Sequence, residues 1–177
     1  NYGYKDYESK EIVTEDTLFP IGSVTKSFTA TAIGILIHEG LINSFDDLVK
    51  DYIPEFEASN QYAEDNMTLK DLLSMRGGYS HKGYDNMLFH GSHYSSDEII
   101  EKSKYIPFDL KFRDVMRYDN LNYILLGKVI ENVSNMSWHD FISKKIFQPL
   151  MMNSSGSDYK FIENNKKIAS AHLLHKN

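Results

Sequence analysis

Apolar positions along this chain fall into helical and strand-like runs that can be placed before any chemistry is considered. From Phe19 to Gly40 the sequence reads FPIGSVTKSFTATAIGILIHEG. Val24, Phe28, Ala30, Ala32, Ile33, Ile35, Leu36 and Ile37 make this stretch apolar nearly all round, which predicts a helix starting at Gly22 or Ser23 and lying in the middle of a fold. Gly34 would permit close approach of a neighbour, and Gly40 would close the helix as a C-cap. Ahead of it, Tyr2 to Tyr7 alternates aromatic with small or charged residues at period two, as a strand with one buried face does. Glu8 to Lys10 is the expected turn, and Ile12 and Val13 a short return strand. Thr17 to Ile21 then runs extended through Pro20 into the helix.

Beyond Gly40 the elements become shorter. Leu41 to Phe56 reads as a loop with an amphipathic turn at Asp46 to Tyr52, closed by Pro54, and Asn60 to Asn66 reads as polar and exposed. Thr68 with Asp71 three residues later resembles a capping box, and Leu69, Leu72 and Leu73 give the next helix its inner face, with Gly77 and Gly78 as its stop. Tyr79 to Tyr94 is rich in Gly, Ser, His and Asn and predicts a surface loop. Ser96 is the expected cap of a helix over Asp97 to about Lys104, ended by Pro107. Leu121, Ile124, Leu125, Val129 and Ile130 then have helical spacing to about Val133. Ser137, with Asp140 three later, opens a further helix through Ile146, with Trp138, Phe141, Ile142 and Ile146 on its core face and Pro149 at its end.

Composition narrows the function classes. With 177 residues, 41% hydrophobic and 13% aromatic, the chain is long enough for one core and a small second subdomain. A net charge of -6 with scattered lysines argues against a nucleic-acid groove. The absence of cysteine removes disulfides, thiol nucleophiles and thiolate metal sites. Ala30 to Ile37, the longest apolar run, is too short to cross a bilayer. The opening NYGYKDYESKEIV carries no basic-then-apolar signal and reads as interior to a longer protein.

Candidate chemistry starts at Ser23 and Lys26. Three residues apart, they lie on one helical face within mutual reach. A lysine buried in such a helix would be pushed toward neutrality and could accept a proton, while the helix N-terminus and the Ser23 N–H could stabilise an oxyanion. Ser157 and Lys160 repeat the pattern, but in a polar loop, NSSGSDYK, with no helix to fix the serine. Tyr118 and Asn120 stand at the mouth of a helix, where a phenol could relay a proton and an amide could hold a polar substrate group. Tyr84 to Asn86 repeats that triplet too. His81, His90 and His93 lie in a loop without a rigid element, so no metal and no cofactor are assigned.

In order, LFPIGSVTKSFTATAIGILIHEGLINSFDDLVKDYIPEF, TLKDLLSMRGGY, FRDVMRYDNLNYILLGKVIE and WHDFISKKIFQPLMM resemble the serine beta-lactamase and penicillin-binding protein-like family. The likeness is to the branch of class C beta-lactamases, serine esterases and D-alanyl-D-alanine peptidases, and it spans nearly the whole chain. It implies an α+β fold of the beta-lactamase/transpeptidase type, seen here mainly as the nucleophile helix and helical subdomain with a few strands of an incomplete antiparallel sheet. The expected layout is a single partial domain over 1–177: strand pair and nucleophile helix in 1–40, helical subdomain in 41–150, and a segment in 151–177 returning toward the sheet. By the same resemblance Ser23 is the acylated nucleophile, Lys26 its helix partner, Tyr118 the proton carrier with a phenolate favoured by Lys26, and Asn120 a substrate-binding residue. Tyr118 and Asn120 are thereby preferred over Tyr84 and Asn86. The implied reaction is attack on an amide, lactam or ester carbonyl, an acyl-enzyme, and release to water or another acceptor.

The resemblance is incomplete. The family's third motif, Lys or His, a small residue, then Gly on a downstream strand, has no convincing counterpart, since His90-Gly91 precedes Tyr118. The chain therefore reads as truncated at both ends and, alone, as inactive or nearly so, because one missing oxyanion donor costs about 10²–10³ in rate. A small-molecule or peptide substrate is expected, with self-association or pairing with the missing C-terminal part to cover exposed core. The other reading is a noncatalytic fragment or descendant that binds peptidoglycan-like peptides or a partner chain. Retention of Ser23, Lys26, Tyr118 and Asn120 together favours the hydrolase, and the family leans toward the cell envelope or secretion.

Overall fold

A short antiparallel hairpin opens the chain, with β1 (Tyr4–Asp6) paired to β2 (Glu11–Ile12) in the register Tyr4 to Ile12 and Asp6 to Glu11, and an irregularity between. The computed structural model describes residues 2–80, 94–163 and 165–172. The aromatic face expected to be buried points outward: Tyr2, Tyr4 and Tyr7 are exposed, and the Lys10 ammonium lies 3.7 Å from the Tyr7 ring centroid. Lys5 and Asp6 are the half-covered residues instead. The reason is the segment around Lys166 to Ser170, which lies on that side. Lys5 Nζ donates to the Lys166 carbonyl at 2.7 Å, and Ser170 N donates to the Lys5 carbonyl at 2.8 Å. Leu18 joins the same segment by a parallel bridge to Ile168.

After a 3-10 turn over Gly22–Val24 comes α1 (Thr25–His38). Glu39 is its C-cap, and Gly40 follows at φ +73 with its N–H on the Ile37 carbonyl, the left-handed stop that a glycine makes without strain. Then follow α2 (Val49–Tyr52), α3 (Gln61–Asn66), α4 (Leu69–Leu73), α5 (Ser96–Lys102), α6 (Leu121–Ser134), α7 (Trp138–Ile142) and α8 (Tyr159–Glu163). A π-helical turn, Ser143–Phe147, prolongs α7, and nothing in the local sequence explains the change of pitch.

Several starts are fixed by side-chain caps. Asn60, Thr68, Ser95 and Ser137 each accept from a backbone N–H of the first turn, and Thr68 and Ser95 complete boxes with Asp71 and Glu98. Ser95 thus takes the place expected of Ser96. The polar stretch after Asn60 is α3 and not merely exposed chain, because Ala63 and Met67 turn inward from it and are fully buried. The stop of α4 comes before the glycine pair, with Met75 at φ +56. At the far end of α6, Asn135 takes the left-handed position at φ +54.

The hub of the core is α6. Leu121, Asn122, Leu125, Leu126, Val129 and Ile130 form two adjoining stripes at i and i+4, and α6 packs on α1, α2, α4, α5 and α7. On α1, by contrast, only Thr29, Ala32, Ile33 and Leu36 are buried, while Val24 is exposed and Phe28 and Ile35 half-covered. The first helix is covered chiefly on one side, and open space surrounds Gly34, so no neighbour requires a glycine there. An apolar groove of about 680 Å³ runs along its outer side, bounded by Phe19, Ile21, Phe28, Phe147 and Phe161. Among the described residues no helix is long and apolar enough to cross a membrane.

Candidate active site

Ser23 sits in the 3-10 turn that feeds α1, not in the helix proper, and Gly22 before it has φ +51. A Cβ at Gly22 would meet nothing within 4 Å, so the demand for glycine there is conformational rather than spatial. The turn leaves the Ser23 side chain exposed at the mouth of the helix, one turn before Lys26. Lys26 Nζ donates to Ser23 Oγ at 3.3 Å.

The second half of the constellation arrives from the chain segment just before α6. Lys26 Nζ donates to Tyr118 Oη at 2.7 Å and to Asn120 Oδ1, and Tyr118 Oη donates to Ser23 Oγ at 2.5 Å. The backbone of Asn120 is already helical as the N-cap of α6, and its carbonyl accepts from Tyr123 N and Ile124 N, both at 3.0 Å. Tyr118, two residues earlier, is free of that helix and bends back over Lys26. All four residues singled out in the sequence are thus brought together within one hydrogen-bonded cluster.

Electrostatics distinguish the two candidate proton acceptors. Lys26 is half-buried, not buried, so the premise of the sequence argument, an ammonium sealed in an apolar helix, is absent. At Tyr118 the hydrogen bond from Lys26, and then the one with Ser23, hold the phenol below the usual tyrosine range. The Lys26 ammonium also lies 4.7 Å from the Tyr118 ring centroid and 5.5 Å from that of Tyr123. Tyr123 goes the other way, pushed up by burial and by Tyr118, and donates to the Leu73 carbonyl at 3.2 Å. It therefore frames the site without sharing its proton.

A cleft of about 380 Å³ continues from Ser23 and Lys26 between α1 and α6, with Thr29, Ile124, Gly127 and Trp138 along it. Trp138 Nε1 donates to Thr29 Oγ1 at 3.1 Å and so ties α7 to the floor of α1. Neither Tyr123 nor this tie was foreseen from sequence, since their partners lie far away along the chain. Among the described residues no group of three His, Asp or Glu side chains could hold a metal ion. His81, His90 and His93, and the Tyr84 to Asn86 triplet, lie outside the described residues, as does the side chain of Lys160.

The profile of the family described as Beta-lactamase matches residues 1–160. Protein flp of Staphylococcus aureus strain MRSA252 is 29% identical over 166 residues, which cover 94% of this chain and 32% of that protein. Beta-lactamase-like protein 4 of Dictyostelium discoideum is 31% identical over 173 residues, covering 92% and 30%. Among solved structures, the octameric penicillin-binding protein homologue from Pyrococcus abyssi superposes with a TM-score of 0.78 at 31% identity, covering 99% of this chain and 41% of that one. D-amino acid amidase from Ochrobactrum anthropi SV3 does so with a TM-score of 0.70 at 27% identity, covering 85% and 41%. The chain spans about a third of the length of these curated relatives.

Proposed function

This chain belongs to the beta-lactamase family, and from that premise we propose that it carries the nucleophile side of a serine hydrolase that acts on amide, lactam or ester carbonyls through an acyl-enzyme. One observation supports this most: the Tyr118 oxygen stands 2.5 Å from Ser23 Oγ while Lys26 donates to that same phenol at 2.7 Å. A nucleophile, a base held toward its ionised form and a cation that stabilises that form are what activation of a serine at neutral pH requires.

In this reading Tyr118 as phenolate takes the proton of Ser23 while Ser23 Oγ bonds to the substrate carbonyl carbon. The Ser23 N–H, at the start of the helix, is one donor to the resulting oxyanion. Collapse expels the leaving amine or alcohol, which receives the proton from Tyr118, and the acyl group stays on Ser23. Water then attacks the ester, giving its proton to Tyr118, and the acid leaves as Ser23 recovers the proton. Lys26 donates to Asn120 Oδ1 and so orients the amide, which holds a polar group of the substrate.

The D-amino acid amidase and the penicillin-binding protein homologue are likenesses that favour amide and lactam substrates over others. The test is hydrolysis of a D-phenylalanine amide, nitrocefin and p-nitrophenyl acetate by the full-length protein. At least one should turn over, with loss of turnover on Ser23→Ala and on Tyr118→Phe. Unchanged turnover in Ser23→Ala would sink the reading.

A further inference from the structure

Arg113 has a backbone that arginine rarely adopts. Its φ is +65, in the left-handed region that favours glycine, and here no glycine has been used. The side chain supplies the compensation. Arg113 Nε donates to Asp71 Oδ1 at 2.8 Å and Nη2 to Asp71 Oδ2 at 2.7 Å, a two-pronged pair, and Nη2 also reaches the Asn66 carbonyl at 2.7 Å. Asp71 is itself fixed as the third residue of α4, where it accepts from Thr68 N at 2.9 Å and Thr68 Oγ1 at 2.7 Å.

The backbone on either side of Arg113 is joined to the end of α4 as well. Arg113 N donates to the Arg76 carbonyl at 3.1 Å and Arg117 N to the Met75 carbonyl at 2.9 Å, while the Arg76 guanidinium caps the Arg113 carbonyl. Arg117 pairs with Asp109. The next residue is Tyr118. The path by which the phenol reaches Ser23 is therefore set by a segment whose far end is a strained arginine, its side chain on Asp71 and its backbone on Arg76.

We propose that Arg113, locked on Asp71, is a positioning residue for the Tyr118 to Asn120 segment: the two-pronged pair holds the left-handed backbone at 113, and through it the register in which Tyr118 Oη meets Ser23 and Lys26. The inference rests on the reading of Tyr118 as the proton carrier of Ser23. Among the described residues the groups that face Tyr118 are Ser23 from the 3-10 turn, Lys26 from α1 and Tyr123 from α6, so a shift of the segment changes the distance of the phenol from the Lys26 ammonium. A loop merely stabilised by Arg113 would leave that distance alone.

The test separates the two roles. Ser23 is labelled in this chain with a fluorophosphonate, and the rate is followed by intact mass from pH 6 to 11. Glycine takes φ +65 without strain but also leaves it freely, so Arg113→Gly spares the fold a strained residue while removing what fixes the backbone there, the pair with Asp71 and the bond to the Asn66 carbonyl. The expected result is unchanged far-UV circular dichroism, a midpoint of the labelling profile raised by about one pH unit, and labelling roughly tenfold slower at pH 7.5. Arg113→Lys, which keeps charge but not the fork, should fall between. Asp71→Asn should move the profile in the same direction, and its effect should not add to that of Arg113→Gly, because both break one contact. A lowered melting temperature with an unmoved midpoint overturns the proposal, as does full additivity. If Arg113→Gly unfolds at the assay temperature, Arg113→Lys decides on the same criterion. Label that persists in Ser23→Ala is a different failure, that of the nucleophile reading itself.

Discussion

Replacing Asp71 by asparagine should weaken the fold as well as the site, by an amount that can be worked out from its contacts. The carboxylate is 8% exposed and accepts four hydrogen bonds, from Arg113 Nε and Nη2 and from Thr68 N and Oγ1. Three of these fall on Oδ2 and one on Oδ1, so an asparagine with its oxygen in the Oδ2 place still turns its NH₂ against Arg113 Nε, and that bond is lost along with the countercharge of Arg113. Hydrogen bonds to charged groups contribute ~1.5–3 kcal/mol each. The Arg113 side chain is 40% exposed, however, so water replaces part of what it loses. A net loss of ~2–3 kcal/mol is expected, which for a domain of this size lowers the melting temperature by roughly 4–12 °C.

The sign of the pH dependence is fixed by the direction of the Asp71 shift. Burial raises its pKa, but the bonds from Arg113 and Thr68 outweigh burial and hold the carboxyl below the usual range. A carboxylate depressed in the folded state stabilises the protein above its unfolded pKa of ~3.9, and that stability fades as pH falls through the folded value. Urea denaturation should therefore show the full gap between wild type and Asp71→Asn at pH 7 and a shrinking gap only below about pH 4. A gap under ~0.5 kcal/mol at pH 7 would refute the reasoning, and so would one that survives acidification unchanged.

Tyr118→Phe should leave the melt within ~0.5 kcal/mol of wild type, since the side chain is 44% exposed, yet slow the acylation of Ser23 by about 10²–10³; stopped-time mass spectrometry beside thermal melts reads both. Wild-type acylation should rise with pH to a plateau reached below the usual tyrosine pKa of ~10, because Lys26 and Ser23 hold the phenol down, and Lys26→Met should move the rise upward. Gly78→Ala should destabilise by more than ~1 kcal/mol in denaturant unfolding, since φ there is +87 and the new Cβ would stand 3.1 Å from the Phe108 ring and 3.2 Å from the Leu110 carbonyl.

What could be read from sequence was local. The i, i+4 stripes of α6, the capping box at Thr68, the cap at Ser137 and the left-handed stop at Gly40 depend on residues within one or two turns, so spacing alone located them to within a few residues. The encounter of Ser23 and Lys26 is of that kind as well. Their meeting with Tyr118 and Asn120 is not: the two halves are about ninety residues apart, and only the resemblance to a family joined them on paper. Burial was misjudged where it depends on what lies opposite. The tyrosines of the hairpin alternate as a core-facing strand would, but the partner segment at Lys166 to Ser170 covers the other face. The apolar girth of α1 suggested the centre of the fold, whereas α6 holds that place and leaves Val24 and Ile21 in the open. The arginine at φ +65 gave no signal at all, because its left-handed backbone is licensed by an aspartate forty-two positions earlier.

Site-resolved mass spectrometry of the chain after exposure to a fluorophosphonate tests the central claim most directly. The account predicts a single phosphonyl adduct on the peptide that carries Ser23, absent in Ser23→Ala and strongly slowed in Tyr118→Phe. An adduct on another serine, or one on Ser23 that forms equally fast without the Tyr118 hydroxyl, would contradict it.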